Sequence, residues 1–186
     1  MNWLETPDYL PVTAPRSFGS LQRTPENLDD VLDQFRVETT PRYQRSSNGT
    51  KCNIFLHDVT KACGCTIPIV WQVGLKHVEM NANNQYEWML RYGVASHGWL
   101  EVPEAVAQAE ADKGRISVAM FYNTKLKRPW LPAGALNQPL PGHVAAFRPS
   151  HGAPGSWIAQ AGAENFSRGL LHSTFGNLPT KYFTHA

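Results

Sequence analysis

No stretch of the chain approaches 18 consecutive apolar residues, and residues 1 to 20 lack the basic start and long apolar run of a secretory signal. Synthesis in the cytoplasm without a conventional signal peptide, and no transmembrane segment, are therefore expected. Charge is sparse at 17% of residues, and the net charge of +2 comes with no basic block, which makes nucleic acid a poor partner. No glycine run is spaced to cradle phosphates ahead of a helix, so nucleotide chemistry is not expected. Cysteine is scarce. Cys52, Cys63 and Cys65 are an odd number crowded into fourteen positions, which argues against a disulfide framework and leaves at least one thiol free. Cys63-Gly64-Cys65 has the wrong spacing for a zinc knuckle, even with His57 and His77 nearby. There is no internal repeat and no low-complexity segment, and neither a metal nor an organic cofactor is called for.

What is present suits one domain. The 186 residues are 42% hydrophobic and 11% aromatic, enough for a core. Residues 1–24, with Pro7, Pro11 and Pro15 and no period, read as an N-terminal arm, and 25–186 as a single domain. Thr24 and Pro25 start a helix that carries Leu28, Val31, Leu32 and Phe35 at helical spacing. A second helix over about 51–63 puts Cys52, Phe55, Leu56, Val59 and Cys63 on one face, with Gly64 as its stop. Polar helices follow over about 83–91 and 103–113. The pattern then turns to short strands at 116–122, 142–147 and 157–161, with Tyr182-Phe183 as a last one. Helices first and strands after predict an α+β fold. Residues 123–141, rich in Pro, Gly and Leu, are too long for a tight hairpin and read as a loop beside the active site.

The chemistry centres on Cys52, which opens an apolar helix directly after the turn-like run Ser46-Ser47-Asn48-Gly49-Thr50. A helix N-terminus carries unpaired N–H groups and about half a positive charge, which favours thiolate over thiol and can hold a developing oxyanion. About ninety residues on, Pro141-Gly142-His143-Val144 places a histidine where a turn enters a strand. A thiolate nucleophile needs an imidazole partner, and the imidazole needs a polar group to hold its second nitrogen. Gln160, an isolated amide in Trp157-Ile158-Ala159-Gln160-Ala161, is the first choice for that third role and Asn165 the second. Each residue alone has an ordinary reading: Cys52 a small buried hydrophobe, His143 a strand-edge histidine, Gln160 a satisfied core amide. Only the constellation suggests a cysteine hydrolase. Trp130, in Arg128-Pro129-Trp130-Leu131-Pro132, sits where a core residue is not expected and is a candidate substrate contact.

These residues resemble the NlpC/P60 and CHAP group of papain-like peptidoglycan amidohydrolases. Thr50-Lys51-Cys52-Asn53-Ile54-Phe55 looks like the nucleophile helix of that group, Gly142-His143-Val144-Ala145 like its histidine strand, and Trp157-Ile158-Ala159-Gln160 falls where its third polar residue lies. Tyr43 is similar to a tyrosine that lines the site in NlpC/P60 members. The likeness covers about 40–62 and 114–165, and departs from the usual Asp-Cys-Ser-Gly in having Lys51-Cys52-Asn53-Ile54. It implies a papain-like fold with the Cys52 helix packed on a small antiparallel sheet. It also implies catalysis by Cys52, His143 and Gln160, substrate contacts at Tyr43, Asn53 and Trp130, and a peptidoglycan peptide as substrate. Such an enzyme acts on the cell wall after lysis, phage release or secretion, and a toxin of this kind would have an immunity protein as inhibitor. A protease or deamidase of the same fold acting on protein, and a non-catalytic binding or phage structural module, are the rival readings.

Overall fold

Thr24 caps the first helix as its sequence predicts: the Thr24 hydroxyl accepts the Asn27 N–H at 3.2 Å, and Pro25 occupies the first turn. The computed structural model describes residues 12, 14–18, 22–47, 49–73, 76–124 and 142–185, with the backbone alone at 72, 73 and 76–78. Helix α1 (Pro25–Asp33) buries Leu28, Val31 and Leu32. Its acidic face is tied down by Arg148, a buried residue that donates to Asp29 at 2.7 Å and Asp33 at 2.8 Å. The described part of the arm lies on this domain, with Val12 buried and the Phe18 N–H bonded to the Ala62 carbonyl at 2.9 Å.

The fold is α+β. Six strands, β3 (Trp99–Val102), β4 (Ser117–Phe121), β5 (His143–Phe147), β6 (Trp157–Ala161), β7 (Asn165–Leu170) and β8 (Thr180–His185), form one sheet in the order β3-β8-β4-β5-β6-β7. Every pairing is antiparallel. A separate hairpin, β1 (Val70–Val73) and β2 (Lys76–Glu79), precedes helix α3 (Ala82–Trp88). Helix α3 runs on into a π-helix (Met89–Gly93) and the short α4 (Val94–Ser96). Helices α5 (Glu104–Ala111) and α6 (Leu171–Phe175) complete the described elements. Helix α2 (Cys52–Ala62) packs against β5 and β6, and is flanked by α1 and α3.

Of the eleven residues of α2, only Lys61 is not buried. A helix enclosed on all sides depends on partners for the polar groups it carries, because an unpaired buried one costs about 1–3 kcal/mol, and here all but His57 Nε2 find one. Asn53 donates to the Glu79 carboxylate at 3.0 Å and the Met80 carbonyl at 2.8 Å. His57 uses Nδ1 to reach the Ile67 carbonyl at 2.8 Å, and burial holds its pKa below the ordinary imidazole value. Thr60 donates to the Leu56 carbonyl and accepts the Ile67 N–H. Asp58 accepts Arg42 Nε at 2.7 Å, Arg42 Nη2 at 3.1 Å and the Tyr43 hydroxyl at 2.8 Å, with both charged side chains fully buried. Phe35, Tyr43 and Phe55 meet edge to face around this pair, with ring centroids 5.4–6.2 Å apart.

Tyr43 therefore does not line the candidate site, contrary to what its likeness to the NlpC/P60 tyrosine led us to expect. It is fully buried, and its hydroxyl is spent on Asp58, six residues or about 9 Å along the helix from Cys52. Asn53 is likewise corrected from a substrate contact to a structural one: its amide group holds the end of β2, and its carbonyl accepts Gln85 Nε2 at 3.0 Å.

Removing the charge of Asp58 leaves Arg42 buried without its counter-ion, which typically costs about 3–5 kcal/mol. Asp58→Ala should therefore lower the unfolding free energy by an amount of that order, whereas an exposed pair such as Arg16–Asp30 should contribute about 0–1 kcal/mol. Equal, small losses from Asp58→Ala and Asp30→Ala in urea unfolding would show that the Arg42–Asp58 pair does not anchor α2.

Candidate active site

Three elements bring the site together. Cys52 is the first residue of α2, His143 the first of β5, and Gln160 the fourth of β6. Strands β5 and β6 pair with Ala146 opposite Ala159 and Phe147 opposite Ile158. Continuing that register puts Ala145 across from Gln160 and Gly162 across from His143, so His143 and Gln160 are diagonal neighbours on one face of the sheet. Gln160 Oε1 lies 2.6 Å from His143 Nε2. The orientation of its amide is set independently, because Gln160 Nε2 donates to the Glu164 carbonyl at 3.0 Å. With Oε1 as acceptor, Nε2 of His143 carries a proton, which leaves Nδ1 for the sulfur of Cys52.

The sulfur and the imidazole perturb each other. Burial opposes ionisation of Cys52, but hydrogen bonding to His143, the charge of His143, the Val144 N–H and the Thr50 hydroxyl outweigh it, and the pKa of the thiol falls below its ordinary value. Burial opposes protonation of His143, but the bond to Cys52, the Cys52 charge and the bond to Gln160 prevail, and its pKa rises. Both shifts favour the charged form of the group, so the arrangement favours a thiolate–imidazolium pair over a neutral thiol and imidazole. The other two thiols behave in the opposite way. Burial pushes Cys63 up and Cys65 to about 12, so both remain unreactive thiols near neutral pH.

The N–H groups of the first turn of a helix have no intrahelical partner, and the Lys51 side chain at the N-cap does not cap them. The backbone N–H of Cys52 is thus a donor beside the sulfur, suited to a negative oxygen. The surroundings rigidify the histidine. Phe175 of α6 packs its ring 5.2 Å from the imidazole. A Cβ at Gly162 would stand 3.3 Å from His143 Cε1 and 3.1 Å from Gln160 Nε2, so the absence of a side chain there lets the amide reach the ring. A Cβ at Gly142 would come within 2.1 Å of the Phe121 carbonyl oxygen and 2.4 Å of Asn83 Oδ1. Asn83 Oδ1 accepts the N–H groups of both Gly142 and Asn123 at 3.0 Å, fastening the strand ends next to His143.

Asn165, the second choice for orienting the imidazole, is on β7 and donates instead to the carbonyls of Val37 and Tyr43. Trp130 and all but the first two residues of the expected loop at 123–141 lie outside the described residues. Thr50, Asn83, Gly162 and Phe175 were not anticipated. Gly162 carries the nearest thing to a signal, a small residue just beyond an isolated strand amide. Among the described residues no group of three or more His, Cys, Asp or Glu side chains is placed to hold a metal ion, and no helix is long and apolar enough to cross a membrane. The chain matches no protein-family model and no curated protein.

Iodoacetamide under native conditions at pH 7 should modify Cys52 at least about tenfold faster than Cys63 or Cys65, as read by peptide mass spectrometry. Because His143 lowers the thiol pKa, His143→Ala should shift the rise of the alkylation rate to higher pH. An unchanged pH profile in that variant would break the link between the two residues.

Proposed function

We propose that the protein is a cysteine amidohydrolase of papain-like, NlpC/P60- or CHAP-type fold that cleaves an amide bond in the peptide stem or crosslink of bacterial peptidoglycan. The observation that carries the hydrolase reading is the imidazole of His143, bridging a thiol of lowered pKa and an amide oxygen 2.6 Å away. Nothing in a purely structural cysteine requires that arrangement, and Cys63 and Cys65 show what structural thiols look like in the same domain. The peptidoglycan substrate rests on the resemblance of the Cys52, His143 and Gln160 segments to that group.

In the first half-reaction Cys52 Sγ attacks the carbonyl carbon, a C–S bond forms, and the carbonyl electrons move onto oxygen. The Cys52 N–H donates to that oxyanion. His143 passes the Nδ1 proton to the amide nitrogen, the C–N bond breaks, and the amine leaves. In the second half, His143 takes a proton from water, hydroxide adds to the thioester carbon, and the C–S bond breaks to release a carboxylic acid and the thiolate. Gln160 holds Nε2–H throughout, so that Nδ1 faces the sulfur in both directions of proton transfer. Tyr43, committed to Asp58, takes no part in the oxyanion site.

Purified sacculi incubated with wild type should release fragments whose masses identify the cut bond, whereas Cys52→Ala should release none. His143→Ala should fall by about 10²–10⁴-fold, the usual worth of general acid–base catalysis. Casein digested while sacculi remain intact would move the substrate from wall to protein. Equal inertness of wild type and Cys52→Ala on both substrates would overturn the hydrolase reading.

A further inference from the structure

A cavity of about 360 Å³ lies between the β1–β2 hairpin and the α3–π-helix–α4 unit, apart from the Cys52 site. It is lined by Pro68, Val70, Trp71, Met80, Trp88, Tyr92 and His97. Among the described residues, no lining side chain is an acid, a lysine or an arginine, and the aromatic faces dominate. Met80 and Trp88 are buried and form an apolar base, while Tyr92 and His97 are exposed. Trp71 meets Tyr92 edge to face at 6.0 Å, and Trp88 packs 5.0 Å from the His97 ring, so the four rings are held by each other before any ligand arrives. His97 Nδ1 is occupied by the Tyr92 carbonyl at 3.0 Å, which leaves Nε2 for a ligand.

The backbone is adapted to hold these rings. The π-helix Met89–Gly93 is a rare conformation that often marks functional sites. A Cβ on its last residue, Gly93, would stand 2.6 Å from Met89 Sδ and 3.3 Å from Trp88 Cζ3, so a side chain there would displace the Met89 thioether and press on the Trp88 ring. The cavity is also mechanically continuous with the candidate active site. Asn53, next to Cys52, holds the Met80 carbonyl, and Asn83, which holds Gly142 beside His143, is on the same helix as Trp88. Asn83 and Trp88 are five residues apart, about 7–8 Å of helix axis.

We infer that this cavity is a saccharide subsite that takes an N-acetylhexosamine ring of the glycan to which the cleaved peptide is attached. Indole, phenol and imidazole rings each offer an apolar face and a single hydrogen-bonding edge. A pyranose matches them with a C–H face and a rim of hydroxyl and amide groups, and its neutrality fits the uncharged lining. The choice of this sugar rests on the peptidoglycan reading, but its binding does not depend on Cys52.

The test is a titration of Cys52→Ala with tri-N-acetylchitotriose, followed by tryptophan fluorescence and calorimetry. Saturable binding is expected, weakened about five- to tenfold in Trp71→Ala and in Tyr92→Ala, each checked for an unchanged thermal midpoint. Because Tyr92 is 38% exposed, its truncation keeps the test informative if Trp71→Ala misfolds. Absence of binding by correctly folded Cys52→Ala, or binding that neither variant weakens, overturns the inference, and so does saturation by a free stem peptide in place of the sugar. Sugar binding lost in the variants, together with intact sacculi after treatment with wild type, would keep the subsite and discard the wall as the substrate of Cys52.

Discussion

Enclosure of α2 on every side is the constraint on which the other features depend. A buried helix with Asn53, His57, Asp58 and Thr60 among its residues draws its stability from partners in the segments around it, with His57 Nε2 alone left unpaired among these side chains. Arg42 and Tyr43 reach Asp58, the end of β2 reaches Asn53, and Ile67 reaches His57 and Thr60. These bonds fix the helix along its axis as well as about it. Its first residue is then held against β5, where the Val144 N–H and the His143 ring meet the sulfur. The cost of burying so many polar groups is offset by the accuracy with which one thiol is placed.

At that thiol two effects of opposite sign compete. Burial alone raises a cysteine pKa, as it does for Cys63 and Cys65 in the same domain and the same helix or its exit. Cys52 is as enclosed, at 3% exposure, yet shifts the other way because a hydrogen-bonded imidazole, a backbone N–H and a hydroxyl converge on it. The comparison within one chain separates the contribution of partners from that of burial. It also explains why the register of β5 and β6 matters. A one-residue slip would turn Gln160 to the other face and leave Nε2 of His143 without its acceptor.

Sequence patterns foretold the elements whose signals are local. The Thr24-Pro25 start, the helix that Cys52 opens, and the strands of His143 and Gln160 all stand close to where periodicity and punctuation put them. The β1–β2 hairpin, β3 and β7 were missed, because their residues alternate weakly and β7 alternates between half-buried and exposed positions at a sheet edge. The π-helix has no local signature at all. Tyr43 and Asn53 were expected in the site on the resemblance of their segments to the NlpC/P60 group, which says nothing of the partners these side chains find here. Tyr43 is drawn instead to a carboxylate fifteen residues on, and Asn53 to a hairpin whose existence no local pattern declared. Gly162 and Asn83 act through distances of a few ångströms between segments far apart in the chain, which a single sequence does not display.

The central claim is a charged pair between Cys52 and His143 with Gln160 on the far nitrogen. Heteronuclear NMR titration of the histidine ring nitrogens in wild type and Cys52→Ala tests it most directly. The account predicts that His143 stays doubly protonated above the ordinary imidazole value of 6.5, and that removing the sulfur brings its titration down. A His143 that titrates at or below that value in wild type, unmoved by Cys52→Ala, would contradict it.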